Sequence, residues 1–212
     1  MDLSILQTVL NQVVLTPEGQ MLLLSITIAG EVGDDDYTYK QLMDFLDEPE
    51  LRKMAIRHHE DEARHAGLFH GCLERLGLKY AQLPDSLKVV QCISKCSGTY
   101  FRGIHSPEDM VDTCAMTYVI EQRGIERYSL FASAFDGVDK ETAEIYRAVI
   151  LEEHNHLDVC AAVGRHYAQD EAAWKQALAR ASIQETNALT EFGVAFQCYL
   201  MELRTIGNPT LA

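Results

Sequence analysis

The chain has 212 residues, with 18 Lys and Arg against 32 Asp and Glu, giving a net charge of −14 at neutral pH. Hydrophobic residues make up 47 % and charged residues 24 %, which excludes a disordered chain and fits a single domain spanning 1–212. The acidic balance speaks against a nucleic-acid surface, because tracking phosphates requires clustered Lys and Arg.

The N-terminus, MDLSILQTVL, has an acidic second residue and no basic stretch, so no secretory leader is expected. Thr16-Pro17 reads as a helix N-cap followed by Pro at the first helical position. A helix, A (17–46), then runs to Leu46 without a breaker. Its apolar stretch, Met21 to Ala29, is about half a bilayer span and is interrupted by Ser25 and Thr27, so no membrane span is expected. Asp47-Glu48-Pro49 opens helix B (48–76), which stops at Gly77. Pro84-Asp85-Ser86 starts a short helix over roughly 86–102. Ser106-Pro107-Glu108-Asp109 has the form of a capping box and opens helix C (107–135). A tight turn at Asp136-Gly137-Val138-Asp139 leads to helix D (139–167), and a last helix spans about 170–204. No alternating β-branched run suggests a strand. Six cysteines, at 72, 92, 96, 114, 160 and 198, fall mostly inside apolar helical pattern without a CxxC pair. Reduced thiols and a cytoplasmic location are therefore expected. Short A–B and C–D turns with one long crossover between B and C give an all-α fold with the connectivity of a ferritin-like four-helix bundle. Its core is 17–168, with an extra C-terminal helix.

Each antiparallel pair carries the same constellation. Helix A has Glu31, and helix B has Glu62-Ala63-Arg64-His65; helix C has Glu121, and helix D has Glu153-His154-Asn155-His156. Each upstream Glu stands as far before its turn as the E-x-x-H Glu stands after it, ~22–24 Å at about 1.5 Å per residue. The carboxylates of a pair are therefore level, and the i, i+3 spacing puts Glu and His on one helix face. Folding the two halves together brings four carboxylates and two imidazoles to one place. The competing reading is a coincidence of ion-paired surface residues, since a single E-x-x-H is common on solvated faces. Against it stands Glu31, which follows the apolar LLLSITIAG, where a lone buried acid would cost several kcal/mol.

This doubled motif resembles the ligand set of the ferritin-like, carboxylate-bridged di-iron superfamily over roughly residues 17–168. Ile120 to Tyr128 (IEQRGIERY) and the stretch from Pro49 to Leu78 around Glu62 and His65 resemble the bacterial di-iron hydroxylases that modify tRNA. The long last helix and the Ile206-Gly207-Asn208 ending resemble the aldehyde-deformylating oxygenases. The resemblance implies metal ligands Glu31, Glu62, His65, Glu121, Glu153 and His156. Glu62 and Glu153 would bridge two iron ions, and Mn/Fe or Mn₂ would also suit the donor types. It also implies that Asp61 and Glu152, the acids directly before each E-x-x-H, support the ligand histidines. Members often carry Arg before each ligand His; Arg64 keeps this pattern and Asn155 departs from it.

The function implied is an O₂-dependent oxygenase or oxidase acting on a small organic molecule with an external electron donor. The alternative is an iron-handling ferroxidase or rubrerythrin-like peroxidase. Two absences favour the first: no Cys₄ module accompanies the bundle, and position 124 is Gly where rubrerythrins carry an extra Glu. Gly30, Gly33 and Gly124 lie beside the ligands and could open space for substrate or O₂, with Tyr118 and Tyr128 toward the same interior. Asp34 and Asp35 extend an acidic edge past Glu31, while His58 and His59 precede Glu62 by one turn, within approach of the site. The oligomeric state is left open, a homodimer included.

Overall fold

The computed structural model describes residues 3–31, 36–97 and 103–207, and every regular element among them is helical. The elements are α1 (Leu3–Val13), α2 (Pro17–Glu31), α3 (Asp36–Phe45), α4 (Pro49–Arg75), a 3₁₀ turn at Asp85–Leu87, α5 (Val89–Ser97), α6 (Pro107–Phe135), α7 (Lys140–Tyr167) and α8 (Glu171–Gly207). No described helix is long and apolar enough to cross a membrane.

The helix ends sit where the local chemistry asks for them. Thr16 Oγ1 accepts from the Gly19 amide at 3.1 Å, and the Glu48 carboxylate accepts from the Leu51 amide at 2.8 Å. Ser106 Oγ accepts from the Asp109 amide at 3.1 Å while the Asp109 carboxylate accepts from the His105 amide at 3.0 Å; reciprocal bonding of this kind satisfies two orphan donors at once. At the end of α4, Gly77 adopts φ +69°. Its amide reaches the Glu74 carbonyl at 3.0 Å and the Leu78 amide reaches the Leu73 carbonyl at 2.8 Å, the paired closure that a left-handed glycine permits.

Two expected helices run into residues outside the description. Helix A is described as α2 and α3, and residues 32–35, and so Gly33, Asp34 and Asp35, lie outside the described residues. Of the crossover helix expected over 86–102, the described part is a 3₁₀ turn at Asp85–Leu87 followed by α5, and residues 98–102 lie outside the described residues. The N-terminal α1 has no counterpart among the predicted helices. Its apolar residues Leu6, Val9, Leu10 and Val13 recur at helical spacing and belong to the core, and the helix packs against α6.

Helix α2 packs on α4, α6 on α7, and α4 on α7, while α8 covers α6 and α5. The apolar interior falls into two clusters. One holds Leu22, Leu23, Phe69, Leu73, Phe135 and Tyr146; the other holds Ile93, Met110, Cys114, Met116, Val119 and Trp174. The C-terminal half of α6 shares the first cluster with the N-terminal half of α7, and the remaining halves share the second, so α6 and α7 run antiparallel. Along α4, α6 and α7 the stretches between the two clusters contain the buried or half-buried His58, Glu62, His65, Glu121, Glu153 and His156. The bundle thus has an apolar end, a polar belt and a second apolar end. All six cysteines are free.

Two positions test this frame. A Cβ at Gly19 would stand 1.9 Å from the Val13 carbonyl oxygen, so α1 and α2 meet there only because residue 19 has no side chain. Gly19→Ala is expected to lower unfolding stability by roughly 1–3 kcal/mol, read from the denaturation midpoint, with an unchanged value contradicting the close approach. Asp139 caps α7 and binds the Arg75 guanidinium at the end of α4, with Arg75 Nη1 to Oδ1 at 2.9 Å and the Thr142 amide to Oδ2 at 3.2 Å. The Arg75 hydrogen bonds hold its carboxyl down at about 2. A carboxyl depressed in the folded state stabilises above its unfolded value and loses that contribution as pH falls toward the folded value. Asp139→Asn should therefore cost on the order of 1–2 kcal/mol at pH 7, with the difference from wild type closing between about pH 4 and pH 2.

Candidate metal centre

The polar belt brings side chains of four helices together. Glu31 is the last residue of α2; His58, Glu62 and His65 occupy one face of α4 at i, i+4 and i+7; Glu121 comes from α6; Glu153 and His156 come from α7. Two overlapping sets of donor atoms result, each within 4.8 Å of one another: Glu31, Glu62, His65 and Glu153 in the first, His58, Glu62, Glu121 and His156 in the second. All six residues of the doubled motif are here, and Glu62 belongs to both sets.

Both motif histidines turn Nδ1 inward. His65 Nδ1 lies 3.1 Å from Glu31 Oε2 and 3.2 Å from Glu153 Oε1. His156 Nδ1 lies 2.7 Å from Glu153 Oε2 and 2.9 Å from Glu62 Oε1. The two oxygens of Glu153 therefore face different imidazoles, one in each set. The Tyr128 hydroxyl donates a short hydrogen bond to Glu31 Oε1.

The outer partners are crossed between the halves. His65 Nε2 lies 3.1 Å from Glu152 Oε2, and His156 Nε2 lies 3.7 Å from Asp61 Oδ2. Each acid thus faces the histidine of the opposite E-x-x-H, not of its own. Arg64 ties the two acids together, with Nη2 to Asp61 Oδ1 at 2.7 Å and a short contact to Glu152. One arginine serves both acids, and Asn155 stands where the second would be. Burial raises the Asp61 and Glu152 carboxyls, but hydrogen bonds from Arg64 outweigh it, so both titrate below the usual range and stay ionised.

The protonation pattern without metal is that of an ion cluster folded in on itself. Burial disfavours charge on His65, yet hydrogen bonds to Glu153 and Glu31 push it up to about 11. His156 rises to about 9 through Glu153 and Glu62, and His58 to about 10 through Cys160 and Glu121, again against burial. Burial raises Glu31 and lifts Glu62 well above the carboxylate range, the latter reinforced by the charge of Glu121. Glu153 is pulled down to about 2 by hydrogen bonds from His156 and His65, despite its burial. Burial and the neighbouring Glu31 charge keep the Tyr128 hydroxyl protonated.

These residues fit a metal ion. Glu62 Oε1 is buried and has no hydrogen-bond donor of its own: His156 Nδ1, 2.9 Å away, is closer to Glu153 at 2.7 Å, and His58 Nε2, 3.3 Å away, is closer to Glu121 at 3.2 Å. An unsatisfied buried carboxylate oxygen is costly, and a cation seated among these donors would satisfy it. Mixed imidazole and carboxylate donors suit a first-row divalent ion, and four carboxylates match the charge of two such ions.

The residues expected around a pocket are placed unevenly. Tyr128 is in the cluster itself. Gly124 is buried, and a Cβ there would meet nothing within 4 Å, so open space adjoins the helix one turn beyond Glu121. Gly30 is solvent-exposed. Tyr118 packs edge-on against Trp174, with ring centroids 6.2 Å apart, in the second apolar cluster. Gly33 lies outside the described residues. A cleft between α6 and α8, lined by Asp109, Asp112, Met116, Arg180 and Gln184, includes none of these residues.

His58 is the residue whose place sequence reasoning left undefined. Its signal is the spacing H-x-x-x-E-x-x-H, which sets it on the face of Glu62 and His65. Glu185 on α8 carried no signal; it is buried, with Arg123 Nε 3.4 Å from its Oε1. Comparison of the chain with protein-family models, with curated proteins and with solved structures returns no match.

Proposed function

We propose that this chain is a ferritin-like di-iron protein that uses O₂ to oxidise a small, partly apolar organic molecule. The observation that carries the reading is the pair of buried or half-buried four-residue donor sets sharing Glu62. Glu31 and His65 would hold one ion and Glu121 and His156 the other, with Glu62 and Glu153 between them. Ferrous ions bound there would supply the electrons for reductive activation of O₂.

The protein's own residues do the rest. Glu152 hydrogen-bonds the outer nitrogen of His65, which fixes the tautomer that presents Nδ1 inward, and Asp61 sets a negative charge 3.7 Å from the outer nitrogen of His156. Arg64 keeps both acids ionised and in place. Tyr128 occupies one oxygen of Glu31 and holds that carboxylate's orientation. The apolar clusters at either end of the belt keep water from the site, as an oxidising centre requires. The open space beside Gly124 is where the organic molecule would lie, and α8, packed along α6, would roof it. With a net charge of −14, a structured nucleic acid is a poor substrate for this surface. An external electron donor completes the cycle.

The test is an anaerobic ferrous loading followed by an O₂ pulse in the presence of small organic candidates, with products read by mass spectrometry. Oxidation of an organic compound, blocked by Gly124→Leu at unchanged metal content, is the expected result. If the loaded protein oxidises only Fe²⁺, the iron-handling alternative replaces this reading; if Gly124→Leu retains full turnover, the pocket lies elsewhere.

A further inference from the structure

Resting on the dinuclear reading above, we infer that His58 is a seventh metal-binding residue and that it makes the two ion positions chemically unequal. His58 is 3 % exposed, one turn before Glu62 on α4. Its Nε2 lies 3.2 Å from Glu121 Oε1 and 3.3 Å from Glu62 Oε1. Its ring stacks on His156 with centroids 3.9 Å apart and planes 23° apart. The inward nitrogens of two imidazoles and the oxygens of two carboxylates therefore converge on the second position. The first position has one imidazole, His65, and three carboxylates, Glu31, Glu62 and Glu153.

The buried Cys160 is the neighbour of His58 on α7, four residues after His156. A surplus histidine without a role at the centre would not need to turn a nitrogen toward two carboxylates.

The donor difference has a chemical consequence. Imidazole suits ions toward the right of the first-row series, whereas oxygen-rich sets suit Mn²⁺. The position at His58, Glu121 and His156 fills first with a nitrogen-preferring ion, and the position at Glu31 and His65 accepts the harder ion. One chain can then carry two different metals in a fixed order.

Anaerobic titration of the metal-free full-length protein with Co²⁺, followed by its visible absorption, tests this. Two binding steps are expected, with dissociation constants roughly tenfold or more apart. Protein holding one equivalent of Co²⁺ should then take up one equivalent of Mn²⁺ without releasing cobalt. His58→Ala and the milder His58→Gln, each checked for helix content by circular dichroism, should weaken the tighter step and leave the other in place. Proton NMR of the Co²⁺-loaded wild type gives a reading independent of any variant: three solvent-exchangeable, paramagnetically shifted imidazole N–H signals, not two. Two equal steps, two such signals, or an unchanged tight step in both variants would overturn the role of His58 while leaving the dinuclear centre standing. Absence of Co²⁺ binding altogether would remove the centre, and this inference with it.

Discussion

Glu62→Ala is expected to empty both ion positions at once. Glu62 is the residue common to the two donor sets, so its loss takes a carboxylate from each. Losing an outer partner of a metal ligand typically weakens affinity by roughly 10–100-fold, and removing a shared direct ligand should exceed that at both positions. Elemental analysis after iron loading should find about two ions per chain in wild type and fewer than one in the variant. The metal-free fold should not suffer in parallel. Burial, reinforced by the charge of Glu121, holds the Glu62 carboxyl well above its ordinary range, so the metal-free protein keeps a buried polar group there at a cost that an apolar side chain of similar size avoids. Glu62→Leu should melt at or above the temperature of metal-free wild type. Retention of two irons by Glu62→Ala would show that the ions sit elsewhere.

Metal uptake should release protons and raise the melting temperature sharply. His58, His65 and His156 titrate at about 10, 11 and 9 in the empty cluster, so all three carry a proton at pH 7 and must lose it to bind metal. At least three protons per chain should therefore appear on loading, the raised Glu62 carboxyl adding to the histidines, measurable by calorimetry in buffers of different ionisation enthalpy. The sign is fixed: metal and protons compete for the same nitrogens, so apparent affinity falls as pH falls. At an ion concentration of about 100 times the dissociation constant, each position contributes about 2.7 kcal/mol to stability. For a chain of this size about 2–4 °C follows per kcal/mol, so two ions should raise the melting temperature by roughly 10–20 °C, and a chelator should reverse it. Loading without proton release would contradict the protonated resting cluster.

Much of this centre was legible in the sequence because helices convert spacing into position. The matched heights of Glu31 with Glu62 and of Glu121 with Glu153 depend only on the helix rise and on where the turns fall. Those turns were marked by Asp47-Glu48-Pro49 and by the 136–139 loop. What could not be read depends on how one helix is rotated and offset against another. The crossing of Asp61 to His156 and of Glu152 to His65 is set by the packing of α4 on α7, which no spacing within either helix encodes. His58 shares a face with Glu62, yet its place beside Glu121 and over His156 needs α6 and α7 in register. Glu185 is buried because α8 lies on α6, although its own helix reads as a partly solvated surface. The missed α1 is different in kind: its apolar residues at 6, 9, 10 and 13 do show helical spacing, and the period was there to be read.

In the proposed centre, two metal ions sit side by side around Glu62, within the belt between the two apolar clusters. Anomalous diffraction at the iron edge from crystals loaded with Fe²⁺ under anaerobic conditions tests it most directly. Two peaks about 3.5–4 Å apart are expected, one beside Glu31 and His65 and one beside Glu121 and His156, with the Glu62 carboxylate between them. No peak in the belt, or iron bound only at surface carboxylates, would contradict it.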